Sequence, residues 1–176
     1  LLDAPGAVVI HNHGATPLRG RLVVGDGNLF ARAETEICPI PPLANAKPPF
    51  RILQLRPVGP EDVREDGKTV PFPIRLLVEG REVATHEVVL EPNLGETRIS
   101  KIDGSVQLAG IRRPTKRGEG HALFLTLHGA GVDARDQANS YAPKEDAYVV
   151  APTNRRRFGF DWQDWGRLDA LEALEH

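Results

Sequence analysis

The chain has 176 residues, a formal net charge of −2 and 40% hydrophobic residues, a composition that suits one globular domain or two small ones. That near-neutral balance gives no bulk pull toward nucleic acid or an anionic membrane, and no apolar run approaches the roughly 20 residues of a membrane helix. A lone cysteine, Cys38, excludes an intrachain disulfide and leaves the redox compartment open. The opening stretch, 1–10, contains Asp3 and Pro5 and no basic residue, so it does not read as a signal peptide. No methionine occurs, even at position 1, and the expectation is a trimmed start.

From Leu1 to about Pro92 the chain reads as short strands between turn residues. The expected strands are Ala7–His11, Arg21–Val24, Ala33–Cys38, Phe50–Leu55, Phe72–Glu79 and Glu82–Leu90. Gly80-Arg81 suits a tight hairpin between the last two. The apolar residues of these two strands alternate in part, with Ile74, Leu76 and Val78 on one face, then Val83, Val88 and Leu90. Prolines 39, 41, 42, 48, 49, 57, 60, 71 and 73 belong at strand ends, edges and loops, because proline cannot donate to a ladder. No helical period lasts more than a turn. This pattern predicts a small antiparallel β-sandwich of immunoglobulin-like shape over 1–96, without the Cys…Trp…Cys signature of an antibody-type domain.

The second half, 97–176, changes period. Ser105–Arg112 reads as a strand. Ala122–Leu127 is a continuous apolar run, the pattern of a strand buried on both faces of a parallel sheet. Ala134–Tyr141 reads as a short helix and Ala147–Ala151 as another strand. Trp165–Leu174 repeats apolar residues at 165, 168, 171 and 174, one helix face, with Asp164 as N-cap. This order begins an α/β domain, joined to the first half near Glu91–Ile102.

Leu127-His128-Gly129-Ala130-Gly131 follows the strand Ala122–Leu127. Glycines there let the backbone approach a ligand, and their N–H groups can stabilise the oxyanion of an acyl-transfer reaction. A plain strand-to-loop turn explains the same residues equally well. Beyond Ala147–Ala151 comes 152–169, with Asn154, Arg155, Phe160 and Trp162, and with both tryptophans of the chain. In an open α/β sheet, loops beyond the carboxyl ends of strands bind ligands. The His-Gly-Ala-Gly strand end, the Ala-Pro strand end at 151–152 and the segment Phe-Gly-Phe-Asp-Trp…Asp-Trp-Gly-Arg-Leu-Asp resemble α/β-hydrolases of the prolyl-oligopeptidase-like and esterase branch. The resemblance runs from about Ile102 to His176.

That resemblance implies an α/β-hydrolase sheet. It implies oxyanion-hole N–H groups at Gly129 and Ala130, and His128 as a positioning residue. His128, Asn154, Arg155, Phe160 and Trp162 would face substrate. The family's nucleophile sits in a G-x-S-x-G elbow followed by the acid and the histidine. None of Ser100, Ser105 and Ser140 has glycine two residues away on both sides. The expectation is therefore the incomplete start of the sheet, cut before the elbow, in a chain inactive by itself. The parent would cleave an ester or peptide substrate through an acyl-enzyme, with no cofactor and no nucleic-acid or membrane partner. The incomplete sheet is expected to self-associate. An accessory sandwich ahead of a hydrolase leans toward an extracytoplasmic or secreted protein. The competing function is a non-catalytic β-sandwich binding or adhesion module carrying a degenerate hydrolase remnant.

Other features read as structural. His11 and His13 share a strand face but lack a third ligand, so no metal is expected. Arg155-Arg156-Arg157 reads as a solvated loop with one arginine holding Asp161 or Asp164. The 61–66 acidic cluster reads as a solvated loop, Asp103-Gly104 as a turn, and Cys38 as buried and inert.

Overall fold

The computed structural model describes residues 1–90, 95–156 and 161–176. The chain divides into two compact units, Leu1–Pro92 and Asn93–His176. Strands predominate, and most of their pairings are antiparallel.

In the first unit the strands are β1 (Asp3–Ala7), β2 (Ile10–His11), β3 (Leu18–Val24), β4 (Ala33–Ile40), β5 (Asn45–Ala46), β6 (Pro49–Leu53), β7 (Val70–Val78) and β8 (Arg81–Leu90), with a 3₁₀ turn at Pro60–Asp62. One antiparallel sheet has the order β4-β3-β7-β8, and β1-β6 and β2-β5 form two antiparallel ribbons. Alternation puts Val70, Phe72, Ile74 and Leu76 of β7 inward. They meet Leu22 and Val24 of β3, Ile37 and Ile40 of β4, Ile10 of β2, and Phe50 and Ile52 of β6 in one core. At its centre Phe72 stacks on Phe50 and meets Phe30 edge-on, with ring centroids 5.8 and 5.0 Å away. This antiparallel architecture, two ribbons and a sheet sharing one core, is consistent with a β-sandwich. Pro71 and Pro73 lie inside β7, but only where β3 no longer pairs with it, since β3 meets β7 over Ile74–Leu77.

Three expectations change here. The strand expected over Ala7–His11 is two strands, because β1 ends at Ala7 and β2 starts at Ile10. The hairpin turn is Glu79-Gly80, at φ 51° and 76°, with Arg81 already paired to Val78. Cys38 is exposed, not buried. It lies on the edge strand β4, where Ile37 and Ile40 take the buried positions.

The second unit comprises β9 (Glu96–Ile99), β10 (Val106–Arg112), β11 (Ala122–Leu125), α1 (Ala134–Asn139), β12 (Ala147–Pro152) and α2 (Asp164–Glu175). Its sheet has the order β11-β12-β10-β9. The expected parallel sheet is instead mixed: β9–β10 and β10–β12 are antiparallel, and β11–β12 is parallel. Connection length explains this. The tight turn closed by Ser100 N–H to Ser105 C=O makes β9 and β10 a hairpin, whereas α1 bridges β11 and β12 as a crossover must.

Successive residues of β12 serve opposite faces. Val150 packs with Ala109 and with Ala173 of α2, and Ala151 with Ala134 and Ala138 of α1. The two helices therefore cover opposite sides of β12. A Cβ at Gly110 would lie 2.2 Å from the Ala134 carbonyl oxygen, so glycine is what lets α1 sit this close to β10. The strand buried on both faces is β12. The apolar run at β11 is an edge strand, with Leu123 47% and Phe124 50% exposed. The expected face of α2 is also corrected. Gly166, Asp169, Ala170 and Ala173 are buried, while Trp165, Leu171 and Leu174 are exposed. Small residues allow close packing on β12, and a buried partner holds the aspartate. The N-cap is Gln163, not Asp164, and makes no side-chain capping bond.

Candidate functional site

Because β11 and β12 run parallel, the loops after both strands emerge at the same end of the sheet. The first carries the His-Gly-Ala-Gly segment. Pairing continues one residue past β11, with Thr126 N–H donating to Val150 C=O at 2.9 Å. The Thr126 hydroxyl accepts from Gln137 Nε2 at 2.6 Å and bonds the Tyr141 hydroxyl at 2.8 Å, tying the loop's root to α1. His128 then turns inward and is only 1% exposed. Gly129, Ala130 and Gly131 face solvent. Among the described residues, none of their N–H groups has a hydrogen-bond acceptor. Gly129 has open space where a side chain would start, so an approaching oxygen meets no side-chain wall there.

Trp162 fixes His128. Its indole N–H donates to the His128 carbonyl at 2.9 Å, and the two rings meet edge-to-face with centroids 5.2 Å apart. His128 Nδ1 lies 3.2 Å from the Gly129 carbonyl, and its buried Nε2 has no partner among the described residues. His128 thus braces the loop and faces no substrate. Trp162 contacts the same loop from behind and is partly buried.

Asn154 is 2% exposed, at φ 56°, and donates from Nδ2 to the Asp161 carbonyl at 2.7 Å. A Cβ on Gly166 would lie 2.2 Å from Asn154 Oδ1, so glycine at 166 makes room for this side chain. Asn154 therefore holds the segment that leads into Trp162 and is not itself substrate-facing. Arg155 is also redirected. Its guanidinium bonds Asp103 Oδ2 at 2.8 Å, Ser100 Oγ at 2.6 Å and Glu172 Oε2 at 3.1 Å. It holds Asp103 and Glu172 in place of the expected Asp161 or Asp164. Phe160 and Arg157 lie outside the described residues.

Beneath this loop lies a buried ion pair that sequence reasoning did not single out. Arg98 Nη2 donates to Asp169 Oδ1 at 2.7 Å, with the two side chains 5% and 0% exposed. The other Asp169 oxygen accepts from Thr153 N–H at 3.1 Å and from the Thr153 hydroxyl at 3.3 Å. So Asp169 links α2 to β9 and to the end of β12. The available signal was a lone aspartate among Gly166, Ala170 and Ala173. Nearby, the Asp103 carboxyl is held down to about 2, chiefly by the Ser105 hydroxyl, with the Ser105 N–H and Arg155 assisting against partial desolvation.

No serine is paired with a histidine among the described residues. Ser100 bonds Arg155 and Glu172, Ser105 bonds Asp103, and Ser140 bonds the Gln137 carbonyl. In the first unit His11 and His13 stack at 5.9 Å. No group of three or more His, Cys, Asp or Glu side chains among the described residues could hold a metal ion. No helix among them is long and apolar enough to cross a membrane. Compared with known proteins, the chain matches no family, no curated protein and no solved structure.

Proposed function

We propose that this chain carries the oxyanion-hole loop of a serine hydrolase that cleaves an ester or peptide bond through an acyl-enzyme. One observation carries the reading. Gly129 and Ala130 are exposed, and their N–H groups have no acceptor among the described residues, at the end of a strand of a parallel pair, on a loop braced by His128 and Trp162. Donors fixed before the reaction need no reorganisation when charge develops on a carbonyl oxygen, which is the requirement for oxyanion stabilisation. Asn154 and Gly166 act one layer back, by holding the Trp162 segment. The resemblance to the prolyl-oligopeptidase-like and esterase branch of α/β-hydrolases gives the reaction class. The nucleophile, acid and base lie outside the 176 residues on this reading, since each serine present is engaged in a structural hydrogen bond.

The test compares two polypeptides. The 176-residue chain should neither hydrolyse an activated ester nor react with a fluorophosphonate. The product of the complete reading frame should be labelled on a serine outside these residues. Ala130→Pro, which deletes one donor, should slow its acylation by about 10²–10³. Labelling of Ser100, Ser105 or Ser140, or an unreactive complete product, would overturn the proposal.

A second reading, a binding module, is favoured by an open cleft of about 320 Å³ in the first unit. Its walls include Ile74, Leu76, Ala84, Val9, His11 and His86. Loss of binding partners on filling it with Ala84→Trp would favour this reading over the hydrolase.

A further inference from the structure

The Gly129 and Ala130 N–H groups belong to two different peptide planes, and each plane is held by different donors. No peptide bond among the described residues is cis. In a trans peptide the C=O and the following N–H point in opposite directions. The His128 carbonyl accepts from the Trp162 indole N–H at 2.9 Å. The Gly129 N–H, in the same plane, therefore points away from the indole. The Gly129 carbonyl accepts from the Val132 N–H at 3.4 Å, and His128 Nδ1 lies 3.2 Å from it. A carbonyl only accepts, so Nδ1 carries the proton in that contact. This second plane contains the Ala130 N–H and takes its direction from within the loop.

We infer that Trp162 is a positioning residue for the Gly129 donor alone. Oxyanion stabilisation needs N–H groups aimed at the place where charge develops, so a misaimed N–H is a lost donor. The indole N–H donates and cannot accept. It therefore holds the 128–129 peptide in one sense only. A flipped peptide would turn the Gly129 N–H toward the indole N–H, donor against donor, and leave both unpaired.

Trp162 is itself held on every side that matters for this aim. The Asp161 carbonyl before it accepts from Asn154 Nδ2 at 2.7 Å, and the Gln163 N–H after it donates to Asp161 Oδ1 at 3.1 Å. Asn154 is buried just beyond β12, in a left-handed conformation at φ 56°. The Trp162 ring meets the buried His128 ring edge-to-face, at an interplanar angle of 75°. A support locked by its own bonds is what holds a donor to the accuracy that catalysis requires. The other tryptophan, Trp165, is 56% exposed, with the Arg155 guanidinium 5.5 Å from its ring centre.

The catalytic meaning of this aim rests on the hydrolase reading, and the experiment separates the two. In the 176-residue chain, replacing the Trp162 indole by benzothiophene keeps the shape of the ring and removes its N–H. Residual dipolar couplings should then change at the Gly129 N–H and stay native at Ala130 and along β12. In the complete product the same replacement should slow acylation by an activated ester at least tenfold, and by no more than the roughly 10²–10³ of a deleted donor. Substrate affinity should not change. Trp162→Phe, which also lacks the N–H, is the second variant should the first fail to fold. The loss should persist in an Ala130→Pro background. It should vanish in a Gly129→Pro background, where the N–H that Trp162 aims is already gone; open space at the Cβ position of Gly129 leaves room for the ring. An unchanged Gly129 coupling, or a loss that survives Gly129→Pro, overturns the inference and leaves the hydrolase reading standing. An unreactive native product overturns the hydrolase reading, and with it the role of Trp162, whatever the couplings show.

Discussion

The first unit concentrates large apolar side chains in one place, whereas the second buries fewer of them and is also tied together by charge. Phe30, Phe50 and Phe72 meet inside a continuous aliphatic core. The second unit's apolar clusters are small: Ala109, Val150 and Ala173 on one face of β12, and Ala134, Ala138 and Ala151 on the other. The second unit is further held by the buried Arg98–Asp169 pair and by the group of Arg155, Glu172 and the exposed Asp103. Burial of carbon drives collapse without specifying geometry closely. A bonded ion pair fixes geometry while adding little net stability. The second unit thus has the construction suited to holding loops at set distances, and those loops are the candidate site.

Phe72→Ala should break this contrast most sharply. Phe72 is fully buried, and truncating such a side chain costs about 3–5 kcal/mol. Amide exchange across β3 and β7 should rise accordingly. Native protection there in the variant would show that the aromatic centre does not hold the first unit. Asp169→Ala should cost a similar or slightly smaller amount, about 3–5 kcal/mol, because Arg98 is left buried and unpaired. Replacing both partners, Arg98→Met with Asp169→Leu, should recover most of that loss, while Thr153 and the loop beyond β12 exchange faster. A double variant as unstable as the single one would mean that packing around the pair, not its charge, is what matters.

Period was readable where burial follows it. β7 alternates cleanly because one face meets the core, and β12 is continuous because helices cover both its faces. The same rule misled at β11, where an equally apolar run forms an exposed edge. Apolar content reports what a strand could bury, not whether anything covers it. On α2 the leucine spacing suggested one face, but the close approach to β12 selected Gly166, Ala170 and Ala173. At the candidate site, Gly129 and Ala130 were singled out by the resemblance of the His-Gly-Ala-Gly segment, and the fold puts both in an exposed loop after β11. The Arg98–Asp169 pair was not, because its members are 71 positions apart. Arg155 reads from sequence as part of a basic loop. Only the fold brings Asp103, Ser100 and Glu172 to it.

The smallest expected effect concerns Asp103. Its carboxyl is lowered from 3.8 to about 2, mainly by the Ser105 hydroxyl at 2.6 Å, together with the Ser105 N–H and the Arg155 guanidinium. A carboxylate whose folded value lies below its unfolded one favours the fold when ionised. Its contribution is therefore fully present above about pH 4, near the unfolded value. It is lost as the pH falls through that point toward about 2. The side chain is 43% exposed, so solvent screens the interaction and the effect is modest. Denaturant unfolding of the native chain and of Asp103→Asn should differ most near neutrality. The two stability curves should converge on acidification, since asparagine mimics the protonated form. The Thr153–Arg155 amides should exchange faster in the variant at neutral pH and equally at low pH. Curves that stay parallel from neutral to acid would show that Asp103 does not report on the charged network, and would confine the ionic half of the comparison to Arg98 and Asp169.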